Sequence, residues 1–196
     1  RKPRARSVLA PAWIVLLALA VRFTAVGVLH SLPPMAIVGS TAVRPADQPV
    51  FPDSVEFLMV SWHIRTGDGP ILSADSAVGR MPGYPYFLAA VAVAFGEGLL
   101  APRLAQAILG GMAVALVILF TGRSFGARTG NVAGAIAAVY PMFVLMGALL
   151  LSETLFVLLF LAGLVCLHGA FARRTLSASV GAGVAFGAAT LRRRTA

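Results

Sequence analysis

The sequence predicts an all-α polytopic membrane protein with four full transmembrane helices, an incomplete fifth, and juxtamembrane helices in a large first external loop. Three observations predict it. Apolar residues make up 59% of the 196-residue chain and charged residues only 12%, where a soluble domain holds about 25% charged residues; the mean hydropathy is +0.88. The 16 Lys and Arg collect at the ends of apolar runs, so the formal charge of +9 reads as topogenic charge and not as a nucleic-acid footprint. Six of the seven acidic residues (Asp47, Asp53, Glu56, Asp68, Asp75 and Glu97) fall between positions 47 and 97, and the seventh, Glu153, stands alone between two apolar runs.

Arg1, Lys2, Arg4 and Arg6 form a basic head before span 1, residues 8–32. Roughly 20 or more apolar residues exceed the 7–15 of a signal-peptide core, so this run reads as a spanning helix with a cytoplasmic N-terminus. Arg22 interrupts it, either pairing with a loop carboxylate or snorkelling to an interface. Residues 33–103 form the external loop, punctuated by Pro and Gly. Its segment 53–65 carries Val55, Phe57, Leu58, Val60, Trp62 and Ile64, too apolar for a freely solvated helix. Trp62 and His63 suit headgroup depth, so a helix along the membrane surface is expected.

Residues 84–94 are apolar but stop at Gly96-Glu97-Gly98, short of the roughly 17–25 residues a span needs. Charge decides their role. If this segment does not cross, the basic clusters 1–6, 123–128 and 173–174 all lie on the cytoplasmic side, and the acid-rich loop and Glu153 lie together outside. Span 2 then covers residues 104–121, span 3 residues 132–151, span 4 residues 155–171 and a partial span 5 residues 178–194. Pro141, after Tyr140, is expected to kink span 3. Gly183 and Gly187 form a GxxxG that favours close packing. His30 and His168 read as packing or interface residues. The single Cys166 lies inside an apolar run, which excludes an intramolecular disulfide, and no Cys/His cluster has metal-ligand spacing.

Asp53 and Glu56 stand at i and i+3 on one helix face. Asp-x-x-Glu after a proline is also a capping box, and the two readings are compatible. A carboxylate there could act as general base on a hydroxyl or ligate a divalent cation at Asp53; the residues do not fix a cofactor. Glu153 is a second candidate, against the alternative of a solvated turn residue. Arg80, with Arg103, could hold a phosphate through bidentate hydrogen bonds; for Arg103 a snorkelling helix-end residue is the expected alternative.

The ordered set of short motifs resembles the N-terminal part of GT-C superfamily glycosyltransferases. The set runs through Asp53-Ser54, Glu56-Phe57, Gly67-Asp68-Gly69, Arg80-Met81-Pro82-Gly83-Tyr84-Pro85, Phe95-Gly96, Pro102-Arg103-Leu104, Tyr140-Pro141 and Leu151-Ser152-Glu153-Thr154. The nearest group is the protein O-mannosyltransferase-like set, which includes bacterial lipid A aminoarabinose transferases. Met81 stands where that group commonly has proline. The resemblance implies transfer of a sugar from a polyprenyl-phosphate donor to a lipid, glycan or protein acceptor, at the extracytoplasmic face of the inner or plasma membrane. It implies an essential acidic residue at Asp53 and a second at Glu153, and Glu56, on the same helix face as Asp53, is a further candidate catalytic carboxylate. It also implies donor-phosphate contacts from Arg80 and from an arginine among Arg192, Arg193 and Arg194, with Arg193 taken as the candidate; Tyr84, in the same segment as Arg80, is a further candidate. Members of the family are usually longer, so residues 1–196 are expected to be one transmembrane domain at the N-terminal part of a longer enzyme. A membrane permease or transporter subunit, or a non-catalytic assembly partner, is the competing reading. Such a protein would be expected to place ionisable or broken-helix features near the bilayer midplane.

Overall fold

The computed structural model describes residues 6–31, 52–73, 76–77, 83–173 and 176–189. In chain order it contains α1 (Arg6–Ser31), α2 (Pro52–Thr66), the short strands β1 (Ile71–Ser73) and β2 (Ser76–Ala77), α3 (Gly83–Phe95), α4 (Leu100–Phe125), α5 (Ala127–Val139), α6 (Pro141–Ala148), α7 (Glu153–Arg173) and α8 (Leu176–Ala189). The architecture is helical apart from β1 and β2, which pair as one antiparallel hairpin.

Among the described residues three helical segments, Pro11–Ser31, Leu100–Phe125 and Glu153–Phe171, are long and apolar enough to cross a membrane. Together α5 and α6 reach the length of a fourth, but their axes meet at 53°. The kink expected at Pro141 in the span over residues 132–151 is thus a full break between two helices. The cause is local. Pro141 has no N–H to continue the helical ladder, and Tyr140 before it is extended at φ −62°, ψ 117°, the conformation a following proline favours. Of the expected fifth span, α8 covers Leu176–Ala189, and the rest lies outside the described residues.

Helix α4 is the central post. Its 26 residues make about 39 Å of helix at 1.5 Å per residue. Ala18 of α1, Val114 of α4, and Ala137 and Ala138 of α5 form one buried cluster, and Val26, Ala107 and Ala148 form another. Small residues allow this closeness, as expected where helices pack within lipid. A Cβ at Gly130 would lie 2.7 Å from the carbonyl oxygen of Ile118 and 2.8 Å from Cα of Gly122, so α5 rests directly on the backbone of α4. Outward positions carry exposed apolar side chains such as Trp13, Ile108, Met112, Val132 and Ile136, the surface a lipid-facing bundle presents.

Between α1 and α4, α2 and α3 lie side by side in parallel. Phe57 and Tyr84 meet near their starts with ring centroids 4.9 Å apart. Near their ends Arg65 Nη1 donates to Glu97 Oε1 at 2.8 Å. α2 begins at Pro52, so Asp53 lies inside its first turn and not ahead of it, and a carboxylate there complements the positive end of the helix dipole.

Candidate functional site

The site is built at the end of the bundle where four chain segments converge: the first turn of α2, the first turn of α3, the second turn of α4, and residues 149–153 leading into α7. Two buried polar side chains join them. Ser54, 0% exposed, donates from Oγ to the carbonyl of Leu149 at 2.7 Å. Gln106, also 0% exposed, donates from Nε2 to the carbonyls of Leu151 at 2.7 Å and Met146 at 3.1 Å. Its Oε1 accepts from Tyr84 Oη at 2.9 Å. Buried amides and hydroxyls are tolerated only when so paired, and each bond constrains both partners.

The turn held in this way is unusual. Leu150 has φ 52°, a left-handed conformation that costs a non-glycine residue about 1–3 kcal/mol and persists where surroundings enforce it. Here the enforcement is visible. Leu150 is buried with Phe57, Tyr84, Leu88 and Leu99, while the carbonyls on either side of it are tied to Ser54 and Gln106. The turn delivers Glu153, exposed, as the first residue of α7.

Ser54 thus brings Asp53 and Glu153 to one end of the bundle, with Glu56 one helical turn along α2. Burial pushes the Tyr84 phenol above its usual range; the negative charge of Glu153 adds to that rise, and the Gln106 hydrogen bond acts against it. Arg103, buried at the start of α4, is not the snorkelling residue expected from its sequence position. Arg80 and Arg193 lie outside the described residues, so of the expected phosphate-binding group only Tyr84 is described.

The other described acidic residues of the window, Asp68 and Glu97, do different work. Asp68 Oδ2 accepts from Thr66 Oγ1 at 2.7 Å and lies 3.3 Å from His63 Nδ1, while Glu97 pairs with Arg65. These contacts close the far end of α2, whose 15 residues span about 22 Å. The Thr66 hydroxyl, then His63, holds the Asp68 carboxyl below its ordinary value. Among the described residues, the acids of this window therefore fall into two separate groups. Arg123 and Arg128 are exposed at the opposite end of α4.

Beneath the site lies a cavity of about 250 Å³, lined chiefly by apolar side chains including Val114, Met142, Phe143 and Leu161, with Arg22 and Glu153 among its walls. Among the described residues no three His, Cys, Asp or Glu side chains form a metal-holding group. Gln106 escaped the sequence reading; its one signal is a lone amide near the start of an apolar run. Arg22 is buried and does not snorkel; among the described residues it meets no carboxylate and bonds backbone carbonyls.

A family model described as dolichyl-phosphate-mannose-protein mannosyltransferase matches residues 79–196. No curated protein and no solved structure matches the chain.

Proposed function

The chain belongs to the dolichyl-phosphate-mannose-protein mannosyltransferase family, and from that premise we propose that it transfers a sugar from a polyprenyl-phosphate donor to an acceptor hydroxyl at the extracytoplasmic membrane surface. The family makes it a membrane glycosyltransferase of the mannosyltransferase type; donor, acceptor and sidedness are our reading. The observation that carries it is the Ser54–Leu149 bond, which sets the first turns of α2 and α7, and with them Asp53 and Glu153, at one end of an apolar bundle.

In this reading Asp53 takes the proton of the acceptor hydroxyl. The hydroxyl oxygen attacks the anomeric carbon of the sugar, and the bond from that carbon to the phosphate oxygen breaks. Polyprenyl phosphate leaves, its charge met by Arg80 and by an arginine of the 192–194 run. Glu56 and Glu153 orient the acceptor and the sugar. Exposed Arg123 and Arg128 at the far end of α4 support placing the carboxylates outside, by the excess of basic residues in cytoplasmic loops.

The broken span and the buried Arg22 favour the permease reading, because transporters use such breaks to bind ions. Two of the carbonyls that a break would offer an ion are already taken by Arg22, which weighs for a fixed element.

The test is donor-dependent transfer by the purified protein in nanodiscs. We expect transfer from mannosyl polyprenyl phosphate and none from a nucleotide sugar. Arg80→Ala should weaken donor binding, and Arg80→Lys should restore it only in part, because an ammonium lacks the planar fork. Solute flux without transfer would support the permease instead.

A further inference from the structure

The break between α5 and α6 leaves backbone carbonyls that the helix itself cannot satisfy. Ala137 would bond the N–H of residue 141, which is proline, and the extended Tyr140 takes α5 out of register with α6. The last four carbonyls of any helix lack internal partners, and within lipid no water replaces them, so each unsatisfied one costs several kcal/mol.

Arg22 supplies the partners from another helix. It is 2% exposed. Its Nη1 donates to the carbonyl of Ala138 at 3.1 Å and to that of Ala18 in its own helix at 3.0 Å, and its Nη2 makes a longer contact of 3.4 Å to Ala137. The cation sits at the negative end of the α5 dipole. Gly110 makes room, since a Cβ there would lie 2.5 Å from Nε and 2.9 Å from Cδ of Arg22.

The eight-residue α6 is thus fixed at both ends. Arg22 holds the carbonyls just before its start, and Gln106 and Ser54 hold those of Met146, Leu149 and Leu151 around its end. Glu153 stands two residues after Leu151. We propose that Arg22 is a positioning residue: it clamps the break in the third span and, through α6, sets where Glu153 stands. Its relation to turnover rests on the function proposed above; the clamp does not.

A donor-phosphate role for Arg22 is the rival, and Pro141 separates the two. Pro141→Ala restores the missing N–H, so Ala137 no longer needs Arg22. The full-length protein in nanodiscs, in a Cys166→Ser background, would carry nitroxides at Val132→Cys and Leu145→Cys, both exposed, on either side of the bend. We expect one narrow distance in the parent and a broadened one in Arg22→Met, with a lower Tm. Adding Pro141→Ala to Arg22→Met should restore a narrow but longer distance and most of the Tm. Turnover should track the bend and not the stability: down about tenfold or more in Arg22→Met, the equivalent of about one buried hydrogen bond, with donor KM unchanged, and still low in the double variant. If Arg22→Met does not fold, Arg22→Lys carries the same comparison. An unaltered distance distribution in the Arg22 variant, or a Tm loss of equal size with and without Pro141→Ala, overturns the clamp. A raised donor KM with the distance unchanged assigns Arg22 to the phosphate. Should the parent show no transfer at all, the distance and Tm arms still decide the clamp.

Discussion

Ser54 on α2 and Leu149 after α6 are 95 positions apart in sequence and share one partly buried hydrogen bond of 2.7 Å. That bond, with the two from Gln106 to Met146 and Leu151, holds a strained turn in front of α7. Losing either residue should therefore disturb more than its own surroundings. Ser54→Ala leaves a buried carbonyl unsatisfied, at about 1–3 kcal/mol. Gln106→Leu frees two carbonyls and the Tyr84 hydroxyl together and should cost about 2–4 kcal/mol. Thermal unfolding in one detergent gives the order: Gln106→Leu below Ser54→Ala, and Ser54→Ala below the parent.

Tyr84 gives the same site a pH signature. Its folded-state pKa lies above the ordinary 10.0, chiefly through burial. A raised pKa contributes stability that is fully present below the unfolded value and is lost as pH rises beyond it. Tm should therefore fall progressively as pH rises above about 10 in the parent. In Tyr84→Phe that part of the fall should vanish, while Tm near neutrality drops because Gln106 loses a donor.

Much of this end of the molecule was legible. The short helix within the loop, the arrest of the next helix at Phe95 and Gly96, and the isolation of Glu153 come from apolar run length and Pro/Gly punctuation, which act locally. The features that were not legible depend on contacts between distant segments. Gln106 is one polar residue in an apolar run, and nothing in its neighbourhood names Tyr84 or Leu151 as partners. Arg22 was expected to reach water or a carboxylate, because the sequence shows Pro141 but not which helix faces the freed carbonyls. The acid-rich window looked like one cluster; it is divided because α2 carries Asp53 and Asp68 to opposite ends.

The α4–α5 contact offers a packing test. At Gly130 a new Cβ meets backbone atoms of Ile118 and Gly122, whereas at Gly163 it meets the Phe186 ring 2.8 Å away. A ring can turn aside and a helix backbone cannot. Gly130→Ala should lower Tm strongly, by the equivalent of about 1–3 kcal/mol of overpacking or more. Gly163→Ala should cost less.

Sidedness can be read by labelling intact cells. In a Cys166→Ser background, Gly98→Cys beside α3 and Arg128→Cys on α5 are both at exposed positions. An impermeant thiol reagent should reach position 98 and not 128. The reverse pattern would invert the map and place the carboxylates inside.

The most direct measurement is the turnover of Asp53→Asn in the full-length protein. Asparagine keeps the size of aspartate and gives up its charge at the positive end of the α2 dipole, about 0.3–1 kcal/mol, so the fold should hold with a small loss in Tm while the general base is lost. We expect sugar transfer to fall roughly 10²–10⁴-fold, the usual worth of positioned proton transfer, with donor binding unchanged. Near-normal transfer by Asp53→Asn, with transfer abolished by Glu56→Gln or Glu153→Gln, would contradict the assignment and move the base to that second carboxylate.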